Sequence, residues 1–184
     1  MSSTFIKSKN KLTWFITGCS SPSGFGMTLT RIALAAGHTV IATSRNPSRT
    51  PELVAEVESR GGKWLKLDVN NSDSGDVIEE LEISGIAIDV LVNNAGYSIF
   101  SPIETSTEEE IRGQMECMYF GPLRLIRAVV PHMRRRRYGV IVNFSTGGSL
   151  EGRDTMGSYA GAKAGLDGML IPDCLLLFLI LVIF

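Results

Sequence analysis

Five short apolar runs, each followed by a segment with helical spacing, constrain this 184-residue chain more than any other feature. The runs are Leu12–Thr17, His38–Thr43, Lys63–Leu67, Ile88–Val92 and Gly139–Phe144. Between and around them the spacing predicts helices over Met27–Ala36, Pro51–Arg60, Asp73–Ser84, Ser106–Met118 and Gly121–Arg136, with Ser106 and Glu109 set as a capping box. Strands that alternate with helices must be joined by crossovers, and near-continuous apolar strands are those buried on both faces. The pattern therefore predicts an α/β fold, a doubly wound parallel sheet between two helical layers. In such a sheet ligands bind at the carboxyl ends of the strands. Residues Thr17–Gly26, Arg45, Asp68, Asn93–Gly96 and Ser145–Thr146 all follow a predicted strand and would line that one edge.

The turn after the first strand is Gly18-Cys19-Ser20-Ser21-Pro22-Ser23-Gly24-Phe25-Gly26. A strand, a glycine-rich turn and a helix place backbone N–H groups and a helix N-terminus against a phosphate. The same glycines also suit a plain tight turn, and the turn alone does not separate the two readings. A dinucleotide site needs a group that reads the adenosine ribose at the end of the second strand. A carboxylate there suits NAD, and an arginine suits the 2′-phosphate of NADP. No acidic residue occurs before Glu52, whereas Arg45 stands at the strand end, which favours NADP(H) over NAD(H). The competing reading of Arg45 is a solvated loop cation.

Composition narrows the function by exclusion. A formal net charge of −1, with aromatics not interleaved among basic residues, gives no nucleic-acid signature. The run Arg134–Arg137 reads as cations favoured at a helix C-terminus. Cys19, Cys117 and Cys174 are odd in number and lack histidine neighbours, which fits neither a disulfide framework nor a metal site and suggests a reducing compartment. The polar, basic N-terminus has no apolar core of signal-peptide length, so a cytoplasmic location is expected.

Tyr159 and Lys163 stand four residues apart, one above the other if the segment is helical. An ammonium at ~4 Å in an effective dielectric of ~20 stabilises a phenolate by roughly 4 kcal/mol. A phenol so placed is brought toward the range useful for proton transfer. Alone, the spacing also occurs by chance on solvated helices.

Taken together, TGCSSPSGFG at 17–26, LDV at 67–69, NNAG at 93–96, GPLRLIRAVVPHMRRRRYGVIVNFS at 121–145 and YAGAK at 159–163 resemble the short-chain dehydrogenase/reductase family. The resemblance runs from about Leu12 to about Met169. It implies a Rossmann-type three-layer fold and an oxidoreductase that interconverts a carbonyl and an alcohol with NADP(H). It implies that Gly18, Ser20, Ser21, Gly24, Phe25 and Gly26 form the phosphate turn. Asp68 and Val69 would contact the adenine side, and Asn94, Ala95 and Gly96 the middle of the cofactor. Tyr159 would be the acid/base, and Lys163 would hold the nicotinamide ribose. A hydroxyl thirteen residues before the tyrosine orients the substrate oxygen in the family, and this is Thr146 here, with Ser145 beside it. Family members often pair through the helices around Gly121 and Tyr159, so a homodimer is expected by analogy.

Three departures bear on activity. Five residues stand between Gly18 and Gly24 where the family has three, so Pro22-Ser23 reads as an insertion able to bulge into the phosphate site. The family's helix asparagine falls at Met118, which cannot support a water relay, unless it is simply a core residue. After Met169 the pattern is lost, and Cys174–Phe184 is eleven consecutive apolar residues. The expected division is a nucleotide-binding domain over 12–170 and an atypical tail over 171–184. Such a tail is too short to span a membrane. It remains open as a replacement strand or helix, a weak membrane or partner contact, or a non-native end. With the last family strands missing, the sheet would have an open edge, and the alternative to an active reductase is a catalytically impaired nucleotide-binding fragment.

Overall fold

The computed structural model describes residues 11–169 and the strand Phe178–Ile183. Six parallel strands form one sheet: β1 (Thr13–Ile16), β2 (Thr39–Ser44), β3 (Lys63–Lys66), β4 (Val90–Asn93), β5 (Val140–Ser145) and β6 (Phe178–Ile183). Their order across the sheet is β3-β2-β1-β4-β5-β6. The order reverses direction at β1, between β2 and β4, and this is where open α/β sheets form their crevice.

Among the described residues seven α-helices connect them: α1 (Phe25–Ala35), α2 (Pro51–Ser59), α3 (Asp76–Ile83), α4 (Glu108–Met115), α5 (Gly121–Arg136), α6 (Gly148–Glu151) and α7 (Gly157–Gly168). Because strand residues alternate between faces, one apolar sequence builds two cores. On one face Ile16, Val90, Val92 and Val142 pack against Met27 and Ala33 of α1 and Leu53 and Val57 of α2. On the other, Phe15, Leu91 and Ile141 pack against Ile78 of α3, Leu125, Val129 and Met133 of α5, and Ala162 of α7. The expected three-layer α/β/α architecture is the one observed.

Two local expectations are corrected. The capping box lies one residue further on, where Thr107 and Glu110 cap α4 reciprocally. The predicted break before Gly121 is no break, since a π-helical turn, Glu116–Phe120, joins α4 to α5 without interruption. A π turn carries one residue more per turn than an α-helix and is often found at functional sites.

The carboxyl-proximal stretch is the third correction. An open edge was expected beside β5, yet Phe178–Ile183 pairs there in parallel from Val140↔Phe178 to Ser145↔Ile183. Of the readings for the apolar tail, a strand is the form those residues take. Residues 174–177 and 184 of that run lie outside the described residues.

Candidate active site

The carboxyl ends of the strands enclose two adjoining cavities. The larger, of about 350 Å³, is lined by Gly18, Ser20, Ser21, Gly24, Phe25, Ser44, Arg45, Leu67, Val69, Asn94, Ala95, Gly96, Tyr97 and Cys117. The smaller, of about 230 Å³, is lined by Phe25, Asn94, Gly96, Tyr97, Ser98, Met118, Phe144, Ser145, Thr146, Tyr159 and Lys163. Phe25, Asn94, Gly96 and Tyr97 belong to both walls.

The first turn is shaped by backbone closeness. Gly18 has φ +73°, and a Cβ there would come within 2.7 Å of the Ala95 Cα. A Cβ on Gly26 would come within 2.7 Å of Asn94 Nδ2 and 2.8 Å of the Gly18 carbonyl. Gly26 is therefore a packing glycine, whereas Gly24 is the N-cap of α1 and offers no side chain to cap its first amides. With no acidic residue in the first turn, the N-terminal dipole faces the cavity uncompensated by the helix itself. Thr17 stitches this turn to β4. Its Oγ1 accepts from the N–H groups of Asn94 and Ala95, both at 3.0 Å, while Asn94 Nδ2 donates to the Thr17 carbonyl at 2.8 Å.

The Pro22-Ser23 insertion does not enter the site, since neither residue lines a cavity. Arg31 of α1 donates to the Pro22 carbonyl at 2.6 Å and grips Glu56 of α2 through two 2.7 Å hydrogen bonds. The extra residues are thus held along the flank of α1. Of the residues expected at the adenine side, Val69 lines the larger cavity and Asp68 does not. The Asp68 carboxylate instead accepts from the Asn70 N–H at 3.0 Å.

Thr146, Tyr159 and Lys163 line the smaller cavity together. Lys163 is buried, with Nζ 6.0 Å from the Tyr159 ring centroid and donating a short hydrogen bond to the Phe144 carbonyl. Burial pulls its ammonium below the ordinary lysine range, opposed by the charge of Asp167. Ser145 reaches the wall, but its hydroxyl donates to Asp167 Oδ2 at 2.7 Å, and Ser149 donates to the same oxygen at 2.8 Å. Thr146 Oγ1 accepts from the Gly148 N–H at 3.3 Å.

The π turn supplies one residue to each cavity, Cys117 to the larger and Met118 to the smaller. Burial raises the Cys117 thiol, with Arg45 and Lys163 acting against it. A Cβ on Gly96 would lie 3.2 Å from Met118 Sδ, so this methionine fills the space beside the NNAG segment.

Sequence reasoning did not find Gln114, the fully buried polar side chain of α4. Its Nε2 donates to the Tyr97 carbonyl at 3.0 Å, and its Oε1 accepts from Ser158 Oγ at 2.5 Å. Nothing in the local pattern marks it, because both partners come from other elements. Among the described residues no cluster suited to a metal ion occurs, and no helix is long and apolar enough to cross a membrane.

The residues present fit a nucleotide cofactor. An uncapped helix start faces a cavity of about 350 Å³ whose wall also carries Arg45. The short chain dehydrogenase family profile matches residues 13–171. Oxidoreductase claN of Passalora fulva is 39% identical over 157 residues, covering 85% of this chain and 71% of that protein. A short-chain dehydrogenase from Streptomyces avermitilis superposes with a TM-score of 0.84 at 35% identity, over 96% of this chain and 65% of that one. A metagenomic short-chain oxidoreductase, solved in complex with NADP, superposes with a TM-score of 0.85 at 24% identity, over 94% of this chain and 81% of that one, a likeness of fold. The chain spans about half the length of several other curated relatives. The family profile spans most of the chain, and the chain belongs to the short-chain dehydrogenase family.

Proposed function

We propose that the chain binds NADP(H) and interconverts a small-molecule carbonyl and the corresponding alcohol. The observation that carries this reading is that Thr146, Tyr159 and Lys163 share a cavity whose wall is continuous with a nucleotide-sized one. Gly18, Ser20, Ser21, Gly24 and Phe25 would hold the pyrophosphate, with Gly26 allowing the turn to pack closely behind them and Val69 and Asn94–Gly96 alongside the adenine and central portions. Arg45 would take the 2′-phosphate, which is the basis for preferring NADP(H), and NADP is the ligand of one structural neighbour. When bound, the nicotinamide supplies or accepts the hydride.

The chain's own residues supply position and protons. In reduction the Tyr159 hydroxyl protonates the substrate oxygen, and the Thr146 hydroxyl fixes that oxygen by a hydrogen bond. Thr146 is assigned this role by its place thirteen residues before Tyr159 and its position on the cavity wall. Lys163 would hold the nicotinamide ribose and set a positive field beside the phenol. Met118 and Phe144 give the same space part of its apolar wall. The test is NADPH consumption by the purified chain over a panel of ketones and aldehydes. Activity is expected to vanish in Tyr159→Phe and to shift from NADPH toward NADH in Arg45→Asp.

A second reading is a nucleotide-binding protein with impaired turnover. Met118 at the position of the family's relay asparagine favours it, as does the engagement of Lys163 with the Phe144 carbonyl. NADPH binding by calorimetry without consumption of NADPH would support this second reading over the first.

A further inference from the structure

We propose that the substrate's carbonyl is attached to a sizeable apolar body, and that Tyr97, Phe100, Ile103 and Leu150 form the surface on which that body lies. The inference rests on the reading that the carbonyl reacts beside Thr146 and Tyr159, and adds the class of molecule that carries it.

Large apolar side chains are exposed unevenly over this molecule. Eight are exposed among the described residues, and five of them stand in the segments directly after β1, β4 and β5: Phe25, Tyr97, Phe100, Ile103 and Leu150. The other three are scattered over α1, the end of α3 and the π turn. Phe100 is 69% exposed, Ile103 64% and Leu150 76%. Single exposed hydrophobics need no explanation, but a group of them at one edge marks a binding surface.

The group is continuous with the reactive cavity. Phe25 and Tyr97 belong both to it and to the cavity wall. A backbone hydrogen bond of 2.8 Å from the Ser101 N–H to the Thr155 carbonyl ties the segment after β4 to the segment after β5. The segment after β4 that carries Phe100 therefore lies against the segment after β5 that carries Leu150. The run Tyr97–Ile103 carries no charge, while Glu104, Glu151 and Arg153 border the patch. A charged substrate tail would find no partner along that run. An alkyl or aromatic body would be desolvated on it while its carbonyl enters between Thr146 and Tyr159.

The experiment uses the whole chain and two probes. Straight-chain 1-alkanols of increasing length are titrated by calorimetry, which needs no turnover, and the matching 2-alkanones are offered with NADPH. Alkanol affinity is expected to rise roughly fourfold per added methylene. The rise should flatten in a Phe100→Ser/Leu150→Ser double variant, whose side chains are mostly exposed, so that its circular dichroism and melting should match the parent. Affinity that does not depend on chain length, or that depends on it equally in the variant, overturns the proposal. So does self-association that the same substitutions abolish while alkanol affinity stays independent of length, since the occupant is then a second copy. A length-dependent affinity without any NADPH consumption sustains the apolar surface and removes the reductase reading. Consumption with length-independent affinity does the reverse.

Discussion

Ser158 donates its hydroxyl hydrogen bond to the Gln114 side chain at 2.5 Å, which locks α4 to the residue immediately before Tyr159. The other end of Gln114 holds the Tyr97 carbonyl, so one buried amide spans two walls of the reactive cavity. Replacing it with leucine orphans both partners, and stability is expected to fall by about 2–3 kcal/mol in urea titrations. Gln114→Glu keeps an acceptor for Ser158 and loses the donor to Tyr97. If the bridge positions Tyr159, Ser158→Ala should lower kcat more than it raises KM for NADPH. A change in stability alone would reduce Gln114 to a helix-packing residue.

Lys163 makes stability depend on pH. Burial holds its folded-state value below the ordinary lysine 10.5. Between that depressed value and 10.5 the unfolded chain binds more protons than the folded one, so this residue's contribution to stability rises with pH. The contribution is complete above 10.5 and is lost as pH falls through the folded value. Lys163→Met should remove this segment of the curve together with the hydrogen bond to the Phe144 carbonyl, a cost of about 1 kcal/mol at every pH. Chemical denaturation of both proteins from neutral to strongly alkaline pH checks it. The parent should gain on the variant as pH rises.

The two described thiols should be slow to alkylate for different reasons. Cys19 is fully buried, and burial pushes its thiol up to about 11. Cys117 is raised in the same direction but lines the larger cavity. Under iodoacetamide, site-resolved mass spectrometry should find Cys117 modified before Cys19. NADPH should slow the modification of Cys117 alone.

Met118→Asn separates packing from chemistry. Met118 is 1% exposed, and asparagine there would bury an amide without an assured partner, at a cost of about 2 kcal/mol. The amide would also line the cavity of Tyr159 and Lys163. The melting temperature should fall while kcat for carbonyl reduction rises. An unchanged kcat would leave position 118 a packing site.

The parallel sheet was legible because β1, β2, β4 and β5 run into Thr17-Gly18, Ser44, Asn93 and Ser145, punctuation that is local. The Tyr159–Lys163 pair was legible for the same reason, as was the line of residues along the strand ends. The capping box was misplaced by one residue because Ser106/Glu109 and Thr107/Glu110 both satisfy the spacing, and only the chain's path chooses. Gly121-Pro122 reads as a stop signal. In the folded chain Gly121 is needed because a Cβ would come within 2.9 Å of the Val69 carbonyl, and Pro122 falls where α5 begins. Gln114, Asp167 and Arg31 were invisible for another reason. Each acts through partners distant in sequence, and no window of neighbouring residues contains both ends of such a contact.

The π turn gives this gene a place to change length. Deleting one residue from Glu116–Phe120 would let the helix close into regular α geometry. The wide turn already holds that one extra residue, so the two halves would keep nearly the same phase. Gln114 would stay with Ser158 and Tyr97, and Leu125, Val129 and Met133 would stay on the sheet. A lost codon here would alter the bulge that carries Cys117 and Met118 to the two cavities, and leave the long helix in place.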